Sequence, residues 1–301
     1  MPPKQKNAGP VCYTWKKLSA AKWDDAWMER LSFLGPQRVM IMSFPGAPKI
    51  RVEAHGLTKA EADHLVVHFG GSVSEAKWLN PVEAKPRPPL KIRSSLVIVS
   101  CEAERRRLAP DDAEKSLLIP AGMAFGTGDH ATTASCLRFL ADAATDLRDT
   151  SWAMLDLGCG SGILAIAARK LGASRALAGD FDPHAVRVAK ENVKANSARG
   201  VIVKKLDVRS WSPDQTWEIV MANMYSGILV EIAPKLAASV ATGGRLIFSG
   251  VLREQEEEVL AALAKQKFEI ERIVRKGKWV AGMARTKARP AERRKSGEKT
   301  R

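Results

Sequence analysis

The segment LDLGCGSGILAIAARKLGA, residues 155–173, passes from an apolar run into a helical pattern across glycines at 158, 160 and 162. Glycine is needed where a chain turns sharply and a ligand must lie against bare backbone. The dinucleotide-binding spacing GxGxxG calls for Gly or Ala at position 163. Ile163 stands there, so the spacing is GxGxG. Asp180 ends the next apolar run, 22 residues beyond Gly158, where a carboxylate can accept both hydroxyls of a ribose and disfavours a 2′-phosphate. The plainer reading of Asp180 and Asp182 is helix capping ahead of Pro183; Asp182 fits the cap and Asp180 the ribose.

Around this segment the chain alternates between short apolar runs and helical ones. Strands are expected over 153–157, 175–179, 201–206, 218–223 and 245–249, and helices over 162–171, 183–196, 225–239 and 253–266. Such alternation demands a mostly parallel sheet covered on both faces. Residues 268–274 and 279–284 flank Lys276-Gly277 and read as a hairpin, so the last strand should run antiparallel. A parallel sheet closed by a hairpin favours a class I methyltransferase over a nicotinamide dehydrogenase. The glycine loop agrees. A pyrophosphate needs the helix N-terminus aimed at it. S-adenosylmethionine has no phosphate; its nucleoside and methionine parts pack against the loop, and its carboxylate can use the amides.

The first half reads as a small α/β domain over residues 11–80. A helical pattern at 20–34 places Trp23 and Trp27, strands follow at 39–43 and 49–54 about a Phe44-Pro45-Gly46 turn, and Thr58 caps a helix over 59–69. Residues 81–116 are expected to be a linker, proline-rich at 81–89, with one connecting strand at 90–99. The catalytic domain then spans 117–285, and 286–301 is a basic tail.

The chain carries 48 Lys and Arg against 33 Asp and Glu, a formal +15. The first seventeen residues hold +4 and the last seventeen +6, either as solvated tails or as weak contacts to RNA. No signal-peptide core and no apolar run of membrane-spanning length is present. Cys12, Cys101, Cys136 and Cys159 are too scattered for a disulfide framework or a zinc site, which fits a reduced cytoplasmic setting. His64 and His68, four apart, lack the Glu of HExxH and are expected to hold no metal. Cys159 reads as a small packed residue rather than a nucleophile.

PAGMAFGTGDHATTASCLRFL (120–140), the glycine segment, GDFDPHAVRVAKENVKAN (179–196) and ANMYSGIL (222–229) occur in this order. So arranged, the chain resembles the PrmA family, the methyltransferases of large-subunit ribosomal protein eleven, over residues 115–285; FGTGxHxTT is the most specific signal. The first half resembles the family's ferredoxin-like substrate-binding domain in element order. The resemblance implies an α/β fold with a Rossmann-like seven-stranded sheet, S-adenosylmethionine as cofactor, and N-methylation of lysine and/or α-amino groups of a ribosomal protein. It implies cofactor contacts at Thr133, Gly158, Gly160, Asp180 and Asn223, and a loop with Phe125, Gly126 and His130 closing over the methionine end. Thr132 or Thr133 can equally cap the following helix. The Asn223 amide can accept a substrate N–H and orient the amine, or complete a strand-end turn. Met224, Tyr225 and Ser226 depart from the family's common NILAG, and Tyr225 can line an amine pocket or pack into the next helix. The rival activities are an rRNA or tRNA methyltransferase and an NAD-dependent dehydrogenase.

Overall fold

A computed structural model describes residues 12–35, 38–42, 48–76, 89–120 and 130–286. Of these, residues up to 76 form one unit and residues from 89 onward another. The small unit runs β1 (Cys12–Ala20), α1 (Asp24–Arg30), β2 (Val39–Met42), β3 (Lys49–Leu57), α2 (Lys59–Phe69) and β4 (Ser72–Ala76). Its sheet order is β2-β3-β1-β4, antiparallel at every pairing, which is the ferredoxin-like arrangement. Trp15, Trp27, Leu31, Ile50 and Leu65 form its core. Thr58 and Glu61 close a reciprocal capping box on α2. The helix expected over 20–34 is shorter than its pattern, because β1 stays paired with β3 through Ala20 and Lys49. The Phe44-Pro45-Gly46 turn and residues 81–88 lie outside the described residues.

Of the linker expected over 81–116, residues 90–116 carry more than the one connecting strand. Strands β5 (Leu90–Ile92) and β6 (Leu96–Val99) form a tight hairpin that turns through Arg93 at φ 51°, where a single strand over 90–99 was expected. Two short helices, α3 (Glu102–Arg105) and α4 (Pro110–Glu114), lead to β7 (Ser116–Leu118), parallel to β6. Ile92, Leu96, Ile98 and Leu117 join the core of the large unit. Four apolar side chains placed to bury account for the order.

The large unit continues with α5 (Ala131–Asp146), β8 (Ala153–Leu157), α6 (Ile163–Lys170), β9 (Arg175–Asp180), α7 (Pro183–Ala195) and β10 (Val201–Lys205). It closes with β11 (Trp217–Asn223), α8 (Ser226–Ser239), β12 (Val240–Leu252), α9 (Glu256–Lys265), β13 (Phe268–Lys276) and β14 (Trp279–Thr286). The seven strands lie in the order β10-β9-β8-β11-β12-β14-β13. The first five are parallel, and β14 is antiparallel to both neighbours, as the hairpin pattern predicts. Leu137, Phe139, Ile163 and Ile166 fill one face of the sheet. Leu229, Ile232, Val259 and Leu263 fill the other. With both faces covered, the strand ends are left for chemistry. Among the described residues no helix is long and apolar enough to cross a membrane.

Candidate functional site

From β8 the chain winds outward to β10, then returns to the far side of β8 as β11. A parallel sheet opens a crevice outside its carboxyl ends at such a reversal. Leu157 at the end of β8 pairs with Gly179 on one side and Ala222 on the other, so the glycine turn, Asp180 and Asn223 surround that crevice. The amides of Gly158 and Cys159 donate to the Gly179 carbonyl at 2.8 and 3.0 Å, which fixes the turn against β9. Gly158 sits at φ 72°, a conformation side chains rarely adopt. A Cβ there would stand 3.3 Å from the Met224 methyl.

Asp180 does more than end its strand. Its carboxylate accepts the Gly160 N–H at 2.9 Å and the Asp182 N–H at 3.0 Å, tying the glycine turn to β9. Burial raises its pKa and these backbone hydrogen bonds pull the other way. Carboxylate oxygens carry further lone pairs, so ribose hydroxyls remain within its capacity. Asp182 accepts the His184 N–H at 2.8 Å and caps α7, as its place before Pro183 suggests. Between the two acids, the Phe181 side chain is 72% exposed.

The cap of α5 is neither Thr132 nor Thr133 but His130, whose Nδ1 accepts the Thr132 N–H at 3.2 Å. Burial lowers the His130 pKa to about 4, keeping the ring neutral and able to accept. The ring meets Trp279 edge-on at 5.2 Å. Thr133 is released from the capping role. It is buried, and among the described residues its Oγ1 has no partner. Phe125 and Gly126 lie outside the described residues.

The least expected feature is Asp156, in the middle of β8's apolar run and fully buried. Neither carboxylate oxygen makes a full hydrogen bond, although the Ala165 amide partly offsets the shift. Burial first, and the charge of Asp180 second, push its pKa up to about 8. Burial first, and the charge of Asp156 second, raise the thiol of Cys136, one turn along α5 from Thr133, so the inner face of α5 and β8 converge here. An acid inside an otherwise apolar strand was the available signal in the sequence. Cys159 is buried and its thiol is pushed up by burial and by both acids, so it stays protonated.

Asn223 is half-buried at the end of β11, opposite Ser249 of β12. Met224 donates its N–H to the Ser249 carbonyl at 3.1 Å. Tyr225 is the extended cap residue before α8, not part of the helix. His64 and His68 stack at 4.1 Å on α2 of the small unit.

The family described as ribosomal protein L11 methyltransferase (PrmA) matches residues 47–287. A ribosomal protein L11 methyltransferase of Pseudomonas fluorescens (strain Pf0-1) is 34% identical over 281 residues, covering 87% of this chain and 93% of that protein. One from Chromohalobacter salexigens is 41% identical over 206 residues, 68% of this chain and 64% of the relative. The crystal structure of ribosomal protein L11 methylase from Lactobacillus delbrueckii subsp. bulgaricus superposes with a TM-score of 0.58 at 30% identity, covering 67% of this chain and all of that one.

Proposed function

Since the chain belongs to the ribosomal protein L11 methyltransferase (PrmA) family, we propose that it transfers methyl groups from S-adenosylmethionine to amines of ribosomal protein L11. The observation that carries this reading is the crevice at the sheet reversal, where the left-handed Gly158 lies between Asp180 and Asn223. The residues fit such a cofactor. Gly158 presents bare backbone, the buried Thr133 hydroxyl lacks a partner among the described residues, and Asp180 keeps acceptor capacity toward a ribose. Phe181 adds an exposed apolar ring beside Asp180, suited to a nucleobase.

Bound S-adenosylmethionine supplies a methyl group made electrophilic by the sulfonium. The chain's own work is alignment. The Asn223 carbonyl accepts a substrate N–H and aims the amine lone pair along the line of displacement. The amine must arrive neutral. A lysine near ~10.4 is mostly protonated at neutral pH, an α-amine near ~8 far less so. Excluding water from the crevice lowers either value. To the Tyr225 ring, two residues beyond Asn223, we assign the holding of the ammonium before it loses its proton. We assign the small unit, residues 11–80, to substrate recognition and residues 117–285 to catalysis. Four free cysteines accord with work in a reducing cytoplasm.

The test is labelled-methyl transfer to purified ribosomal protein L11 against naked rRNA, read by mass spectrometry. Transfer to the protein is expected. Asp180→Ala should weaken S-adenosylhomocysteine binding by roughly a hundredfold or more, since it removes both the ribose acceptor and the brace on Gly160. Asn223→Ala should lower kcat by a larger factor than it weakens that binding. Methylation of RNA alone, or calorimetric binding of NAD in place of S-adenosylhomocysteine, refutes the reading.

A further inference from the structure

Met224 bears on the same surface. Its backbone is held from two sides. The N–H is committed to the Ser249 carbonyl. Against the peptide stands Gly250 at φ 82°, where a Cβ would fall 2.5 Å from the Met224 carbonyl oxygen and 3.0 Å from its nitrogen. The register of β12 against β14 slips here, between Phe248 and Val251, and the bend makes room for the Met224 peptide. With its backbone fixed, Met224 sends its side chain to the end of β8, where its terminal methyl covers the bare face of Gly158.

That face is the one a methyl donor needs, and two groups cannot share it. Methionine is unbranched, with three rotatable bonds and a polarisable thioether, so it can retract at low cost where a β-branched side chain could not. We infer that Met224 is a displaceable plug: its side chain seals the bare face of Gly158 and yields to the methyl donor. Occupation of that face lowers the donor's affinity by the contact that must be given up. The inference rests on the reading of the crevice as the donor site. Gly250 acts through Met224 as a positioning residue.

Calorimetry of S-adenosylhomocysteine with the full chain tests this. Met224→Ala removes the competing group and should bind about three- to tenfold more tightly than wild type, the scale of one methylene-sized contact. In wild type with methyl-labelled methionine, the Met224 resonance, identified by its loss in Met224→Ala, should shift as the ligand is added. This second readout is taken on the wild type and needs the variant only for the assignment. Equal or weaker binding by Met224→Ala, or a resonance unmoved at saturation, overturns the inference while the donor-site reading stands. A wild type that binds no S-adenosylhomocysteine removes the donor-site reading, and the plug with it.

Discussion

In the small unit the buried guanidinium of Arg38 meets the Glu61 carboxylate at 2.7 and 3.1 Å and donates to the carbonyls of His55 and Gly56. In the large unit, among the described residues, the buried Asp156 carboxyl has neither oxygen in a full hydrogen bond and the Thr133 hydroxyl on α5 has no partner. Burying a charge is tolerable when it is paired and hydrogen-bonded, and costly otherwise. The difference separates two uses of polarity. Arg38 ties β3 to α2 and serves the fold. Asp156, one residue before the end of β8, and Thr133, in the first turn of α5, make no such tie among the described residues. The sheets themselves explain the placement. The parallel sheet is buried on both faces, so its chemistry concentrates at its ends.

The strongest way to break this comparison is to unfold the small unit and ask whether the large one notices. Trp27 is 2% exposed and packs against Trp15 at 5.8 Å and Phe69 at 5.3 Å. Trp27→Ala should cost the small unit about 3–5 kcal/mol, the usual range for emptying a buried aromatic site. S-adenosylhomocysteine binding should stay within about twofold of wild type, while the tryptophan signal of the small unit melts early. Loss of both together would mean that the two units share one cooperative transition.

The comparison sharpens with pH. Folded Asp156 holds its proton up to about 8, while its ordinary value is 3.8. A group whose folded pKa is raised contributes stability that is complete below about 4 and lost as pH rises toward 8. The loss from this one group reaches up to about 1.4 kcal/mol per pH unit within that window. Asp156→Asn cannot ionise and should flatten that slope, with its largest relative gain at pH 8. Urea midpoints between pH 5 and 8 measure it. An unchanged slope in the variant would place the source elsewhere and return Asp156 to the company of Arg38.

Much of this was open to reading before the structure. The glycine spacing, Asp180 and the closing hairpin lie in local patterns of period, turn and spacing, and the sheet follows from them. What stayed hidden depends on partners far along the chain. The Gly160 amide reaches Asp180 only because β8 and β9 are neighbours. Residues 90–118 hide their three strands because β7 joins β6 through pairing, not through local pattern. The Met224 contact with Gly158 crosses from one strand end to another. Capping was misplaced for a different reason. Threonine is the commoner cap, and only the fold shows the imidazole of His130 in that role.

His130 gives the smallest and cleanest test, because its titration opposes that of Asp156. Its folded pKa is lowered from 6.5 to about 4 by burial. A depressed value means stability that is complete above about 6.5 and lost as pH falls toward 4, since the unfolded chain takes up the proton first. His130→Ala removes the cap on α5 and should cost about 1 kcal/mol at neutral pH. His130→Asn keeps a side-chain acceptor for the Thr132 amide, so it should hold most of that stability and lose the acid-side decline. Melting temperatures of the two variants at pH 5 and 7 separate cap from charge. If His130→Asn declines with acid as steeply as wild type, the imidazole is not the group being titrated.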